Sequence, residues 1–252
     1  MKILAVIPAR YASSRFEGKP LAIINNRPMV IWVYDAAVKS SLFDKVCIAT
    51  DDDRIYQTSI QYGADAVMTD KDLNNGTERC RQCVEILEAK GEKYDIVVNV
   101  QGDEPLIKPQ MMADVISGFD KEDTDIVTLR KAITQVGQAE DKNVVKVVCA
   151  GERALYFSRS TVPFCRDCSL QQAVERNIYY KHIGIYAYRT QVLKQIVKLK
   201  PTVLEQTEKL EQLRWLENGY NITVKTTLYD TVGVDTPQDL EQIKKIINNT
   251  RI

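Results

Sequence analysis

The stretch Ile96-Val97-Val98-Asn99-Val100-Gln101-Gly102-Asp103-Glu104-Pro105 decides the fold. Its first five residues are a nearly unbroken apolar run, as a parallel strand buried on both faces requires. The run passes straight into glycine, two carboxylates and proline, the composition of a loop leaving a sheet. The same alternation recurs upstream. Ile3–Ile7 and Val46–Ala49 read as strands, and Ala66–Met68 as a shorter one. Between them, Met29–Val38, Asp53–Tyr62 and Thr77–Leu87 carry helical periodicity, the second stopped by Gly63. This β-α-β-α order predicts a parallel sheet wrapped by helices. Right-handed crossovers then gather the loops after the strands on one sheet edge, where such folds bind ligands. Arg10, Thr50, Asp51, Gln101 and Asp103 all fall just past strand ends.

The second half reads as more mixed. Val144–Val148, Ala154–Phe157 and Ile183–Tyr188 have strand character, and the segment from Cys165 to Tyr180 reads as irregular and polar. A single helix is expected from about Leu204 to Leu216, then a strand at Ile222–Thr226. The closing helix has a marked entry: Thr236 as N-cap, Pro237 at the first helical position and Asp239 in the first turn.

Composition narrows the function. The 252 residues contain no Gly/Ser run or Pro-rich linker, so one continuous domain over 1–252 is expected. Lys+Arg and Asp+Glu both number 34, which argues against nucleic acid as a partner but leaves room for a local cationic site. The run Met1–Pro8 reads as a first buried strand rather than a signal peptide. No apolar run approaches the ~20 residues of a membrane span, so no membrane insertion is expected and the cytoplasm is the default location. Four of the six cysteines form Cys80-x-x-Cys83 and Cys165-x-x-Cys168. The pairs lie about 80 residues apart, against the ~15–20 of a compact zinc ribbon, so reduced cytosolic thiols are expected instead.

Three segments could carry chemistry. The loop Pro8–Pro20 sets Arg10, Arg15 and Lys19 after the first strand, with Gly18 for backbone freedom. Such cations can wrap a polyphosphate, although charge alone leaves a solvated loop as the alternative. The loop has neither the Walker A pattern nor Gly-x-Gly-x-x-Gly, so a dinucleotide oxidoreductase lacks its fingerprint. Asn75-Gly76-Thr77-Glu78-Arg79 opens a helix whose N-terminus could receive an anion or a base edge; a plain N-cap with a Glu/Arg surface pair is the alternative. Asp103, beside Gly102 that lets a ligand approach, suits Mg²⁺, which takes only one or two protein carboxylates plus phosphate and water. Asp235 is a second candidate, or a structural residue at a helix start. His182, the only histidine, reads as structural or as a substrate contact beside Lys181 and Tyr186.

Taken in order, these segments resemble the 3-deoxy-manno-octulosonate cytidylyltransferase family. The resemblance rests on Ile7-Pro8-Ala9-Arg10-Tyr11-Ala12-Ser13-Ser14-Arg15, Gly18-Lys19-Pro20-Leu21, Ala49-Thr50-Asp51, Gly76-Thr77-Glu78-Arg79 and Asn99–Pro105. It continues through Val145–Val148, Ala154–Arg159, His182–Tyr186, Leu210–Arg214 and Gly233–Pro237. It implies an α/β, Rossmann-like nucleotidyltransferase fold, a mostly parallel sheet with helices on both faces, and a homodimer. A sugar-binding and dimerisation segment is implied around 155–215. The implied reaction joins CTP to the acidic sugar Kdo, with Mg²⁺ as cofactor. Carried over by position, Arg10, Arg15 and Lys19 would hold the phosphates, and Thr50, Gly76, Arg79 and Gln101 would surround the nucleotide. Asp103 and Asp235 would bind the metal. Arg159, Arg166, His182, Tyr186, Glu211 and Gln212 would face the sugar.

Two departures stand out. Asn75 replaces the family's usual serine, and Phe164-Cys165 replaces an apolar-aromatic and acidic pair before Arg166-Asp167. The second leaves 8-amino-Kdo open as the sugar. A sialic-acid cytidylyltransferase is a rival reading, but its opening loop lacks Tyr11–Arg15 as written here. A non-catalytic nucleotide-binding protein is a rival of another class, opposed by the joint presence of Asp103, Asp235 and the three loop cations.

Overall fold

The structure is a computed structural model that describes residues 1–12, 15–121 and 123–249. Ser13 and Ser14 of the opening motif lie outside these described residues. Contacts divide the chain into two compact units, one of Met1–Ala113 with the C-terminal stretch from Thr231, the other of Asp114–Asp230.

The first unit runs β1 (Ile3–Ala9), β2 (Ile23–Ile24), β3 (Arg27–Pro28), α1 (Met29–Lys39), β4 (Lys45–Thr50), α2 (Asp53–Gln61), β5 (Ala66–Met68), α3 (Gly76–Ala89), β6 (Ile96–Asn99) and α4 (Pro109–Ile116). Its strands lie in the order β5-β4-β1-β6, all parallel, with Val6 opposite both Cys47 and Asn99. Leu4–Ile7 and Ile96–Val98 have no exposed surface, which is why these segments read as unbroken apolar runs rather than alternating ones. The strand and helix expectations for this half hold to within one or two residues at each end. What they left out was α4 and the short β2–β3 pair.

The second unit runs β7 (Ile126–Ala132), α5 (Val136–Glu140), β8 (Lys146–Ala150), β9 (Arg153–Ser158), α6 (Leu170–Glu175), β10 (Tyr180–Arg189), α7 (Thr190–Ile196), α8 (Val203–Glu208), α9 (Glu211–Glu217) and β11 (Ile222–Thr226). Its strand order is β10-β7-β11-β9-β8. β7 and β11 are parallel, whereas β7–β10, β8–β9 and β9–β11 are antiparallel. The α/β expectation holds, with parallel pairing concentrated in the first unit and the mixed character of the second half in the other.

Three expectations for this unit need correction. The helix expected over Leu204–Leu216 is two, because Lys209 adopts a left-handed conformation (φ 54°). The Arg159 side chain donates to the carbonyls of Glu208 and Lys209 at that break. The segment Cys165–Tyr180 is not wholly irregular: α6 starts at a capping box in which Ser169 and Gln172 satisfy each other's backbone N–H. Its Ala173 and Val174 bury against Ile133, Ala139 and Tyr179. Cys165 and Cys168 are joined in a disulfide, not reduced; they lie in a loop where their Cα atoms come within 5.7 Å, inside bonding range. Cys80 and Cys83 do share the buried face of α3, as their spacing suggested.

The chain then returns to the first unit as α10 (Pro237–Asn249). Leu240, Ile243 and Ile247 bury against Ile24, Met29 and Val234. This packing fixes the approach to α10, and with it Asp235. The entry itself is as expected, with the Asp239 amide donating to the Thr236 hydroxyl (3.3 Å).

Gly102 meets the end of β1 at close range. A Cβ there would stand 2.8 Å from the Pro8 carbonyl oxygen, so its freedom serves backbone packing in addition to any ligand. Gly102→Ala should therefore destabilise the protein by ~1–3 kcal/mol, measurable as a lowered urea midpoint with unchanged slope.

Candidate active site

A cleft of about 350 Å³ opens in the first unit. Arg10, Arg15, Lys19, Gly76, Arg79, Gln101, Asp103 and Asp235 all line it, together with Pro8, Leu73, Asn74 and Gly102. Its centre is one ammonium between two carboxylates. Lys19 Nζ donates to Asp103 Oδ2 at 2.6 Å and to Asp235 Oδ1 at 3.4 Å. Arg15 Nη2 adds a contact to the same Asp235 oxygen at 3.1 Å.

Each partner is placed by a different element. Lys19 begins a short 3-10 turn entered through Gly18, whose φ of 68° lies in the left-handed region. The Gly18 amide donates to the Tyr11 carbonyl (3.0 Å), closing the loop, and the Tyr11 ring lies under the Arg54 guanidinium. Asp103 follows β6. Asp235 reaches it because the Val234 amide donates to the Asp103 carbonyl (2.9 Å). The Asp239 carboxylate then accepts from the amides of Asp235 (3.0 Å) and Thr236 (2.8 Å). The Thr236 hydroxyl, helped by these amides, holds the Asp239 carboxyl below its ordinary pKa.

Other cleft residues differ in how far their charge is committed. Arg10 is exposed, and Arg15 has 66% of its side chain exposed. Arg79 is 3% exposed and bonds to Thr69 and to Asp51 Oδ2 (3.0 Å), so its guanidinium is tied into the fold. Of the alternative reading, a plain N-cap with a Glu78–Arg79 surface pair, the cap forms but the pair does not. Glu78 instead accepts from the Asn74 amide (2.9 Å), while the Asn75 side chain caps α3 by accepting from the Glu78 amide (2.8 Å). An amide oxygen thus does the capping work of a serine hydroxyl at this position. Thr50 is fully buried and is not among the residues lining the cleft; its hydroxyl accepts from the Asp52 amide (3.3 Å). Leu73 and Asn74 line the cleft without having been singled out, and nothing in their sequence context marks them.

The residues assigned to the sugar all lie in the second unit. His182 and Tyr186 sit on β10 with ring centroids 5.3 Å apart, and Phe157 meets His182 edge-on. Trp215 of α9 packs edge-on against Tyr186. The His182 Nε2 and the Thr128 hydroxyl lie 3.0 Å apart. Desolvation pushes the His182 pKa down to about 3, so its imidazole is neutral near pH 7. Burial, aided by the negative charge of Glu211, pushes the Tyr186 hydroxyl well up. Glu211 and the buried Gln212 open α9. Arg159 joins this group through α8, whereas Arg166 is exposed on the disulfide loop, whose cysteines pack against the Ile133–Tyr179 cluster. Thr128 and Trp215 were missed by the sequence reading, the first because β7 itself was missed.

Two outcomes follow. Asp51→Ala leaves Arg79 buried without its carboxylate and should cost ~3–5 kcal/mol in chemical denaturation. For His182 the folded pKa of about 3 lies below the unfolded value of ~6.5, so the unfolded chain binds the extra proton between them. Stability should fall as pH drops through that window. His182→Gln should flatten this limb in unfolding experiments run from pH 7 to 4; an unchanged slope would show that the imidazole titrates normally.

A profile of the family described as cytidylyltransferase matches residues 4–226. The chain is 47% identical over 251 residues to the 3-deoxy-manno-octulosonate cytidylyltransferase of Geotalea uraniireducens, covering 96% of this chain and 98% of that one. It is 45% identical to the protein of the same name from Thermodesulfovibrio yellowstonii, covering 98% and 99%. Among solved structures, CMP:2-keto-3-deoxy-manno-octonic acid synthetase complexed with CTP matches with a TM-score of 0.89 and 39% identity, over 99% of this chain and 100% of that one. The 4-diphosphocytidyl-2C-methyl-D-erythritol synthase of Anaerococcus prevotii shares the fold alone, at 12% identity and a TM-score of 0.61 over 98% of this chain and 99% of that one.

Proposed function

The chain belongs to the cytidylyltransferase family, among the 3-deoxy-manno-octulosonate cytidylyltransferases, and from that premise we propose that it transfers CMP from CTP to 3-deoxy-D-manno-octulosonate (Kdo). The products are CMP-Kdo and pyrophosphate, and the product is the activated sugar for lipopolysaccharide synthesis. The observation that carries this reading is the Lys19–Asp103–Asp235 arrangement in a cleft rimmed by Arg10 and Arg15. A triphosphate brings several negative charges, and a rim of guanidinium groups around an ammonium answers them.

The chemistry is an in-line displacement. The anomeric oxygen of Kdo forms a bond to the α-phosphorus as the bond from that phosphorus to the departing pyrophosphate breaks, and the hydroxyl proton is released. Arg10, Arg15 and Lys19 hold the phosphates and stabilise the charge that develops on them. Gly76 and Gln101 form the wall against which the nucleotide lies. Arg79 is part of that wall and is committed to Asp51, while Thr50 braces it from behind through the turn after β4. No side-chain nucleophile is required, which suits a chain whose single histidine is neutral and shares its hydrogen-bonding nitrogen with Thr128. Arg159, Arg166, Tyr186, Glu211 and Gln212 are assigned with His182 to the sugar acid.

The residues present fit Mg²⁺. Two carboxylates already converge on one cationic nitrogen, and Mg²⁺ needs no more protein ligands than that when phosphates and water complete its shell. Asp103 and Asp235 would hold it, and when bound it would neutralise phosphate charge and acidify the attacking hydroxyl. A homodimer working in the cytoplasm is part of the same reading, on the strength of the sequence resemblance. No helix among the described residues is long and apolar enough to cross a membrane.

The test is pyrophosphate release from CTP with Mg²⁺ across Kdo, 8-amino-Kdo and sialic acid. Rapid turnover is expected only with Kdo, falling by ~100-fold or more in Asp103→Ala and in Asp235→Ala. Full activity in Asp235→Ala would reject the two-carboxylate site. Turnover of sialic acid at the Kdo rate would reject the substrate.

A further inference from the structure

Lys146 is the first residue of β8 and is fully buried, yet no carboxylate pairs with it among the described residues. Its ammonium donates instead to three backbone carbonyls, Val144 (2.6 Å), Arg159 (2.6 Å) and Asp141 (2.9 Å). An ammonium has three N–H donors, so each has a partner. A buried charge is costly, and here desolvation pulls the lysine pKa down against the raising influence of Asp141 and Glu208. Methionine would fill much of the same space without that cost. What methionine cannot do is bind three carbonyls and so join the turn before β8 to the residue after β9.

That residue is Arg159, and it is held through its amide and its guanidinium too. Its amide donates to the Glu208 carboxylate (2.9 Å), and its Nε to the Glu208 carbonyl (2.7 Å). Nη1 donates to the Lys142 carbonyl (3.1 Å) and Nη2 to the Lys209 carbonyl (3.4 Å). Lys142 belongs to the same turn that Lys146 ties down, so Lys146 governs Arg159 from both its backbone and its guanidinium end. Of the five N–H donors of a guanidinium, three have partners among the described residues and two remain.

We propose that Lys146 is a positioning residue: by clamping the 141–144 turn and the Arg159 carbonyl, it aims the two remaining Arg159 donors at the carboxylate of the acidic sugar. The inference rests on the reading of Arg159 as a sugar-binding residue and adds to it the element that sets its geometry. A guanidinium fork gains its advantage over a flexible cation only when its plane is fixed.

The test is steady-state pyrophosphate release by wild type, Lys146→Met, Arg159→Met and the double variant, with melting temperatures recorded alongside. Lys146→Met should raise KM for Kdo roughly tenfold, the scale of losing an oriented charged hydrogen bond. KM for CTP and kcat should stay within about twofold. In the Arg159→Met background the same change should add less than about twofold, because the two residues act as one unit. A parallel rise in both KM values, or a full additive loss in the double variant, overturns the inference. Should Lys146→Met fail to fold, Lys146→Gln keeps two donors and should show a smaller, still Kdo-selective rise. If neither folds, Lys146 is a folding requirement and the positioning role is rejected. An unchanged KM for Kdo in Arg159→Met overturns this inference alone; wild-type silence with Kdo, CTP still binding, overturns the functional reading with it.

Discussion

The ammonium of Lys19 holds together carboxylates that the sequence separates widely, Asp103 after β6 and Asp235 before α10. Two like charges brought this close repel unless a cation stands between them. The first unit is built to make that meeting possible. Parallel pairing of β1 with β6 sets the Pro8 end beside Gly102, and the Val234–Asp103 backbone bond lays the returning chain alongside. Burial of α10 on Ile24 and Met29 keeps it there. The result is a place where a cation is wanted, already filled by one that belongs to the protein. On the proposed function, a divalent cation held by Asp103 and Asp235 would take over that neutralising role.

Burial sorts the remaining cations by use. Arg79, at 3% exposure, is bound to Asp51 and Thr69 and serves the architecture of the cleft. Arg10 and Arg15 stay at the solvent edge, where a long side chain can follow a polyphosphate at little desolvation cost. Lys19 lies between these extremes. It is 14% exposed, enough shielded for its ion pair to matter and enough open for its partner to be exchanged. The gradient runs from buried wall to exposed rim.

The first unit was legible because its signals are local and strong. An unbroken apolar run such as Ile96–Val100 has few competing interpretations, and the Thr236-Pro237-x-Asp239 entry names its own helix. The alignment of cations and carboxylates on one sheet edge followed from chain topology alone. That Asp103 and Asp235 meet did not, since it depends on a single backbone bond from Val234 and on the burial of α10. The second unit hid more. β7 carries Thr128 in its middle, a polar residue that breaks the apolar pattern while its hydroxyl meets the carbonyls of Ile183 and Ile185. The break at Lys209 is a left-handed lysine, a residue with no special liking for that conformation. Its cause, Arg159 drawing on the carbonyls of Glu208 and Lys209, lies some 50 residues away. Cys165-x-x-Cys168 was read through composition and expected compartment, whereas the geometry of the loop decides the pairing.

Recognition of a sugar acid needs a fixed cation, and the second unit narrows where it can come from. His182 is the tempting choice, but an imidazole enclosed by Phe157 and Tyr186 carries no charge near neutral pH. It can offer only hydrogen bonding and shape, and its Nε2 is already engaged by Thr128. Lys146 carries charge but is sealed, with each of its donors on a carbonyl. Tyr186 is held neutral by burial and by Glu211. Among the residues assigned to the sugar, the guanidinium groups of Arg159 and Arg166 are left. Arg166 sits exposed on a loop, where holding one geometry costs side-chain entropy on every binding event. Arg159 has already lost that freedom to three side-chain bonds onto backbone carbonyls. Pre-organisation therefore favours Arg159 over the exposed Arg166 as the group that would read the carboxylate.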